Sequence, residues 1–172
     1  MAVVTITSIL AETAIPSFEA YLQRARSTEG PLALQEMKLK AEAYRAEFLQ
    51  YPVYNGVHDP GDIKNTGNHV PDKSRLVSNR QERFPATDQW FNELGWRPEG
   101  NMVRFGYGWA AGTPADADTV ASLTTTYGLT LPIDHYFIAQ ATADFNADGR
   151  FVIFEVTSFT RNVWCNTGRG WD

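Results

Sequence analysis

The residues whose types and spacing best suit chemistry are Asp144, Asn146 and Asp148, at alternate positions before Gly149, with Glu155 six residues after that glycine. This spacing satisfies the calcium-loop pattern D-x-[DN]-x-[DN]-G-x5-E. Calcium wants several hard oxygens converging, and alternating polar side chains before a glycine turn can supply them. The flanks argue otherwise: both read as strands, where an EF-hand needs helices, and Glu155 alternates within one of them. A plain hairpin turn therefore competes with calcium at Asp144, Asn146 and Asp148. A looser group, His58, Asp59, Asp62 and His69, follows no recognised ligand spacing and reads as solvated loop residues.

Catalysis finds little to work with. The chain holds three histidines and one cysteine, with no Ser-His-Asp context, no Gly-rich phosphate loop and no thiol near a histidine in sequence. The expectation is that the protein is not an enzyme. Cys165 has no second cysteine to pair with inside the chain, so it reads as a packed thiol or as the half of an intermolecular bridge. Trp90, Trp96, Trp109, Trp164 and Trp171 offer a carbohydrate- or partner-binding patch, against the alternative that large aromatics simply fill a core.

A chain of 172 residues fits one domain with a real interior, and 43% apolar against 20% charged residues excludes disorder throughout. A formal net charge of −5 argues against nucleic acid as a partner. The apolar run from Met1 to Ile15 is shorter than the roughly 20 residues of a spanning helix and carries Glu12. No positively charged region precedes it, so it does not read as a signal peptide.

The elements that must position these residues begin with one long helical pattern from Met1 to about Gln50. Its first half shows no single apolar stripe, which calls for burial by partners on all sides. Pro16 predicts a bend or local opening, and Gly30-Pro31 a second weak point. Beyond Pro31, Leu34, Met37, Ala41, Tyr44 and Phe48 recur on one face, a stripe to lay on a sheet, and Tyr51-Pro52 ends the helix. Residues 53–86 are a long run of turn signals, expected to be an interaction surface. Thr87 can cap a short helix through Leu94. Met102 to Ala110 reads as a strand with Val103, Phe105, Tyr107 and Trp109 on one face and glycines on the other, where something packs closely. After a polar insertion with a short helix from Pro114 to Ser122 come strands over 136–143 and 150–159, then a last short one over 161–165.

Ile9-Leu10-Ala11, Ala14-Ile15-Pro16-Ser17-Phe18, Tyr21-Leu22 and Ala25-Arg26-Ser27-Thr28-Glu29 together resemble the N-terminal helix of type IV pilin-like proteins. Small residues, proline and the following aromatic stand in that family's register. Aligned on Pro16, Met1 falls at the seventh mature position, so the leader, the cleavage-site glycine, the methylated first residue and the nearby glutamate have no counterpart in this sequence. Thr5, Thr7, Ser8, Glu12 and Thr13 also stand where the family is usually apolar or glycine.

The fold expected is α+β: a long N-terminal α-helix packed on an antiparallel β-sheet of about four strands, as in type IV pilins. Residues 1–30 would be the exposed assembly segment and 31–172 the globular head. The resemblance implies a structural subunit of a bacterial type IV pilus or related filament, serving adhesion or motility. It would assemble through Ile9, Leu10, Ile15, Pro16, Phe18, Tyr21 and Leu22 from an inner-membrane pool into a surface filament. Its partners would be copies of itself, other pilins and the inner-membrane assembly machinery. The alternatives are a pseudopilin of a type II secretion system, for which calcium in the head would fit, and a soluble binding or adhesion module using the 53–86 loop and exposed aromatics.

Overall fold

In a computed structural model, the structure describes residues 2–54, 57, 59–65, 69–77, 80–85, 90–117, 119–130 and 133–167, without the side chains of 2–13, 16, 62, 64 and 65. The chain is α+β, with two successive N-terminal helices and a four-stranded antiparallel sheet.

Helix α1 (Ala2–Ser27) runs through position 16 without a break. Its last turn carries hydroxyls that turn back on the helix: Ser27 Oγ donates to the Arg24 carbonyl and Thr28 Oγ1 to that of Ala25. Such back-bonding competes with the helical ladder, and α2 (Glu29–Phe48) begins just beyond it. The joint thus falls at Thr28, earlier than the Gly30-Pro31 expected from sequence. Pro31 does not break α2 because it lies in the first turn, where a missing N–H leaves no intrahelical bond unmade.

Leu34, Met37 and Ala41 are fully buried against the sheet, as their spacing predicts. Tyr44 and Phe48 depart from that stripe. Tyr44 is half-buried, Phe48 is exposed, and their rings pack on each other at 4.4 Å. The helix ends before Tyr51-Pro52, at Leu49, whose φ of 60° is left-handed and whose N–H donates to the Arg45 carbonyl.

The main sheet is a meander of β3 (Gly106–Gly112), β4 (Tyr136–Ala143), β5 (Val152–Thr157) and β6 (Trp164–Cys165). A separate ribbon pairs β1 (Glu82–Arg83) with β2 (Met102–Val103). The strand expected over 102–110 is therefore divided at Arg104-Phe105, although Val103, Phe105, Tyr107 and Trp109 do share one core. That core also holds Phe137, Ala139, Ala141, Val152, Phe154 and Val156 from the same sheet face, together with the α2 stripe.

The other sheet face is covered as well. α3 (Pro60–Asn65), α5 (Pro114–Ala117) and α6 (Ala121–Thr125) bring Ile63, Ala117 and Leu123 onto Ala110, Tyr136 and Ile138. The strand glycines let this cover approach. A Cβ on Gly106 would stand 2.7 Å from the Pro71 carbonyl oxygen, and one on Gly108 would stand 2.3 Å from Ile63 Cγ2.

The 53–86 connection is more structural than expected. Val70 exchanges two backbone hydrogen bonds with Tyr107, at 2.7 and 3.0 Å, and so covers the free edge of β3. The single helix expected from Pro114 to Ser122 is instead α5 and α6. The α4 helix (Trp90–Leu94) follows the position of the predicted Thr87 cap, which lies outside the described residues.

Candidate assembly surface

The side chains of α1 described from Ala14 onward are exposed or half-buried, and burial begins only at Ser27. Ile15 is 59% exposed, Phe18 60% and Tyr21 67%, while Leu22 is half-buried. Ile9, Leu10 and Pro16, also expected in the assembly segment, lie outside the described side chains. Large apolar groups concentrated on a projecting rod are the kind of exposed surface that marks an interaction site. Among the described residues no helix is long and apolar enough to cross a membrane.

The rod is held to the head at its joint. Glu29 Oε1 accepts the Arg104 N–H at 3.0 Å and the Tyr107 hydroxyl at 3.2 Å, and Glu29 Oε2 lies 3.6 Å from Arg104 Nη1. Burial, with the adjacent Glu29 charge, drives the Tyr107 pKa well up, so the phenol stays a donor to that carboxylate. Two turns on, Trp96 Nε1 donates to Glu36 at 3.2 Å. Lys38 donates to the Thr157 and Thr160 carbonyls, and Arg45 reaches Asp134 at 2.6 Å. Together these contacts tie α2 to the sheet and its loops along most of its length. Beside the joint, Glu29, Leu32, Glu36, Trp96 and Met102 line an open cleft of about 460 Å³. Sequence reading missed the Glu29 clamp, because its partners lie 75 and 78 residues away.

The Asp144 turn closes on itself. Asp144 Oδ1 accepts the Ala147 N–H at 2.8 Å and Oδ2 the Gly149 N–H at 3.1 Å. Asn146 accepts from the Asp148 N–H and Asp148 from the Arg150 N–H, a succession of Asx-type caps. Glu155, the expected closing ligand, sits in β5 and accepts a hydrogen bond from Gln140 across the sheet. Among the described residues no group of three or more His, Cys, Asp or Glu comes together as a metal site.

The looser histidine and aspartate group departs from expectation. His69 is buried rather than solvated, its Nε2 2.9 Å from Thr142 Oγ1, and desolvation lowers its pKa to about 4. Asp59 caps the Gly61 N–H and accepts from Ser122 Oγ. His58 and the Asp62 side chain lie outside the described residues.

Trp90, Trp96 and Trp109 are core residues. Trp90 stacks on both others with ring centroids 6.1 Å apart. Trp164 is exposed, at a cavity it shares with Tyr127, Glu155 and Thr157, and Trp171 lies outside the described residues. The free Cys165 is half-buried against the main core, its Sγ 3.5 Å from Thr167 Oγ1.

Compared with known protein families, curated proteins and solved structures, the chain matches none of them.

Proposed function

We propose that the protein is a structural, non-catalytic subunit of a bacterial type IV pilus or related filament, held in the cell envelope and assembled by packing of its N-terminal helices. The observation that carries this reading is the rod itself: Ile15, Phe18 and Tyr21 are exposed on a helix that leaves the head instead of folding back over it. Burying such a surface between neighbours is worth roughly 25 cal/mol per Å², before the entropic cost of association. The clamp at Glu29 supports the same reading, because a subunit that joins others through a rod needs that rod fixed to its head. The residue pattern from Ile9 to Glu29 supports it from the sequence side.

The test is immunogold labelling with negative-stain microscopy of cells that carry the gene and cells from which it is deleted. The reading expects label along surface filaments that shorten or vanish on deletion. Filaments that stay unlabelled and unchanged would overturn it.

A further inference from the structure

The face of the rod turned away from the sheet carries a pattern that sheet packing does not explain. Phe18, Ala25, Leu32, Leu39 and Ala46 recur every seven residues, and all five are exposed. Leu32 is 64% exposed and Leu39 70%, although both belong to the half of the rod already seated on the head. Tyr21, Thr28 and Gln35 fall between them at alternating three- and four-residue steps, also exposed. A seven-residue repeat drifts only about 20° per repeat on a straight helix, so these side chains lie along one line. The joint does not interrupt that line: Thr28 keeps right-handed helical angles (φ −68°, ψ −20°), and its carbonyl still accepts the Leu32 N–H.

Charges of opposite sign flank the line. In a heptad frame with Phe18 and Leu32 at the first position, Arg24, Lys38 and Arg45 occupy the last position, on one side. Glu29 and Glu36 occupy the fifth, on the other. Two such helices lying parallel bring the basic flank of each against the acidic flank of its neighbour, whereas an antiparallel pair sets like charges together. Lys38, Arg45, Glu29 and Glu36 also have the partners within the head described above. Their role between copies is therefore to set direction by the sign of the field, while the apolar line supplies the contact.

We propose that this line is an interface between copies of the chain: a second copy's helix lies parallel along it, displaced by one heptad, so that Leu39 of one copy sits beside Leu32 of the next. The inference rests on the filament reading and extends the contact from the projecting end of the rod into the head. The displacement follows from that reading, since a contact that repeats must join unlike positions, whereas like positions close a pair. It also sets Arg24 of one copy opposite Glu36 of its neighbour.

Disulfide trapping in the full-length chain tests this, in a Cys165→Ser background and under mild oxidation. Expected is a ladder of linked multimers from the double variant Leu32→Cys/Leu39→Cys, with neither single variant nor the off-line control Lys40→Cys giving one. Both leucines are exposed, so the variants should keep the parent's circular dichroism and melting temperature, which are checked first. Dimers from each single variant, with only dimers from the double, would keep the parallel line but overturn both the displacement and the filament reading. A ladder from the double variant Phe18→Cys/Ala25→Cys with none from the 32/39 pair would overturn the extension into the head and leave the filament reading standing. Folded variants that give no bridge along the line beyond the control overturn the inference.

Discussion

Gly30 decides how closely the rod can sit on its head, and replacing it with alanine sets two effects against each other. Alanine in a helix is favoured over glycine by about 0.5–1 kcal/mol, less near a terminus. Against this, the new Cβ would stand 3.0 Å from Phe105 Cε1 and 3.1 Å from both Phe105 Cζ and Phe154 Cδ2. Carbon atoms pack best at roughly 3.5–4.0 Å, so both rings must give way. Neither is free to do so: Phe105 is fully buried, packs on Phe154 at 5.9 Å and meets Phe145 edge-on at 5.4 Å. Overpacking of this kind costs about 1–3 kcal/mol, which exceeds the helix gain and leaves Gly30→Ala about 1–2 kcal/mol less stable. For a chain of this length that is a fall of about 2–8 °C in melting temperature. Thermal and urea unfolding by circular dichroism measure it. Adding Phe154→Leu should make the Gly30→Ala step cheaper, a coupling visible only if the two side chains meet. A Gly30→Ala protein as stable as the parent would refute the claim that these rings seat the rod.

Other predictions follow from single contacts. His69 is held neutral with its pKa lowered from 6.5 to about 4, so below pH 6.5 the unfolded chain takes up a proton that the folded chain refuses. Stability should therefore fall as pH drops from 6.5 to 4, by about 3 kcal/mol from this group; urea titrations should show that component flattened in His69→Asn. Asp144→Ala strips the acceptor from two backbone N–H groups and should cost about 1–3 kcal/mol. Because the turn's side-chain oxygens already cap its backbone, millimolar calcium or a chelator should leave the parent's melting temperature unmoved; a rise with calcium alone would overturn the hairpin-turn reading. Leu49 is exposed and left-handed, so Leu49→Gly should stabilise by up to about 1 kcal/mol in the same unfolding assay.

Periodicity carried much of the fold. The α2 stripe was legible because Leu34, Met37 and Ala41 repeat at helical spacing, and the close approach over Gly106 and Gly108 because glycines alternate there with aromatics. What periodicity does not encode is how far the partner surface extends. Tyr44 and Phe48 continue the stripe in sequence, yet they pack on each other once the helix has passed Ala41. Contacts between distant residues were equally hidden. Nothing local to Glu29 announces Arg104 and Tyr107, and nothing beside His69 announces burial against Thr142. The break at Arg104-Phe105 was missed because Val103 and Phe105 keep their alternation across it, even though the two strands belong to different sheets. The exposure of Ile15, Phe18 and Tyr21 was likewise hidden, since residue types in register do not say which of them a head will cover.

The sheet edges bear on why copies would meet along the rod. An unpaired strand edge is the commonest template for joining chains, and natural sheets blunt it. Here Val70 covers the outer edge of β3 with two backbone hydrogen bonds. At the other side β6 is only two residues long, and Asn166 continues the cover beyond it. Its Oδ1 accepts the Ile153 N–H at 2.7 Å, and its own N–H donates to the Ile153 carbonyl at 3.1 Å. Both broad faces of β3 and β4 are already buried, by α2 together with Trp90 and Trp96 on one side and by α3, α5 and α6 on the other. With edges covered and faces occupied, the large apolar surface left to the described chain lies chiefly on its helices, from Ile15 through Leu39. A head built in this way resists joining its neighbours sheet to sheet, and the contacts proposed above between copies fall instead on the rod.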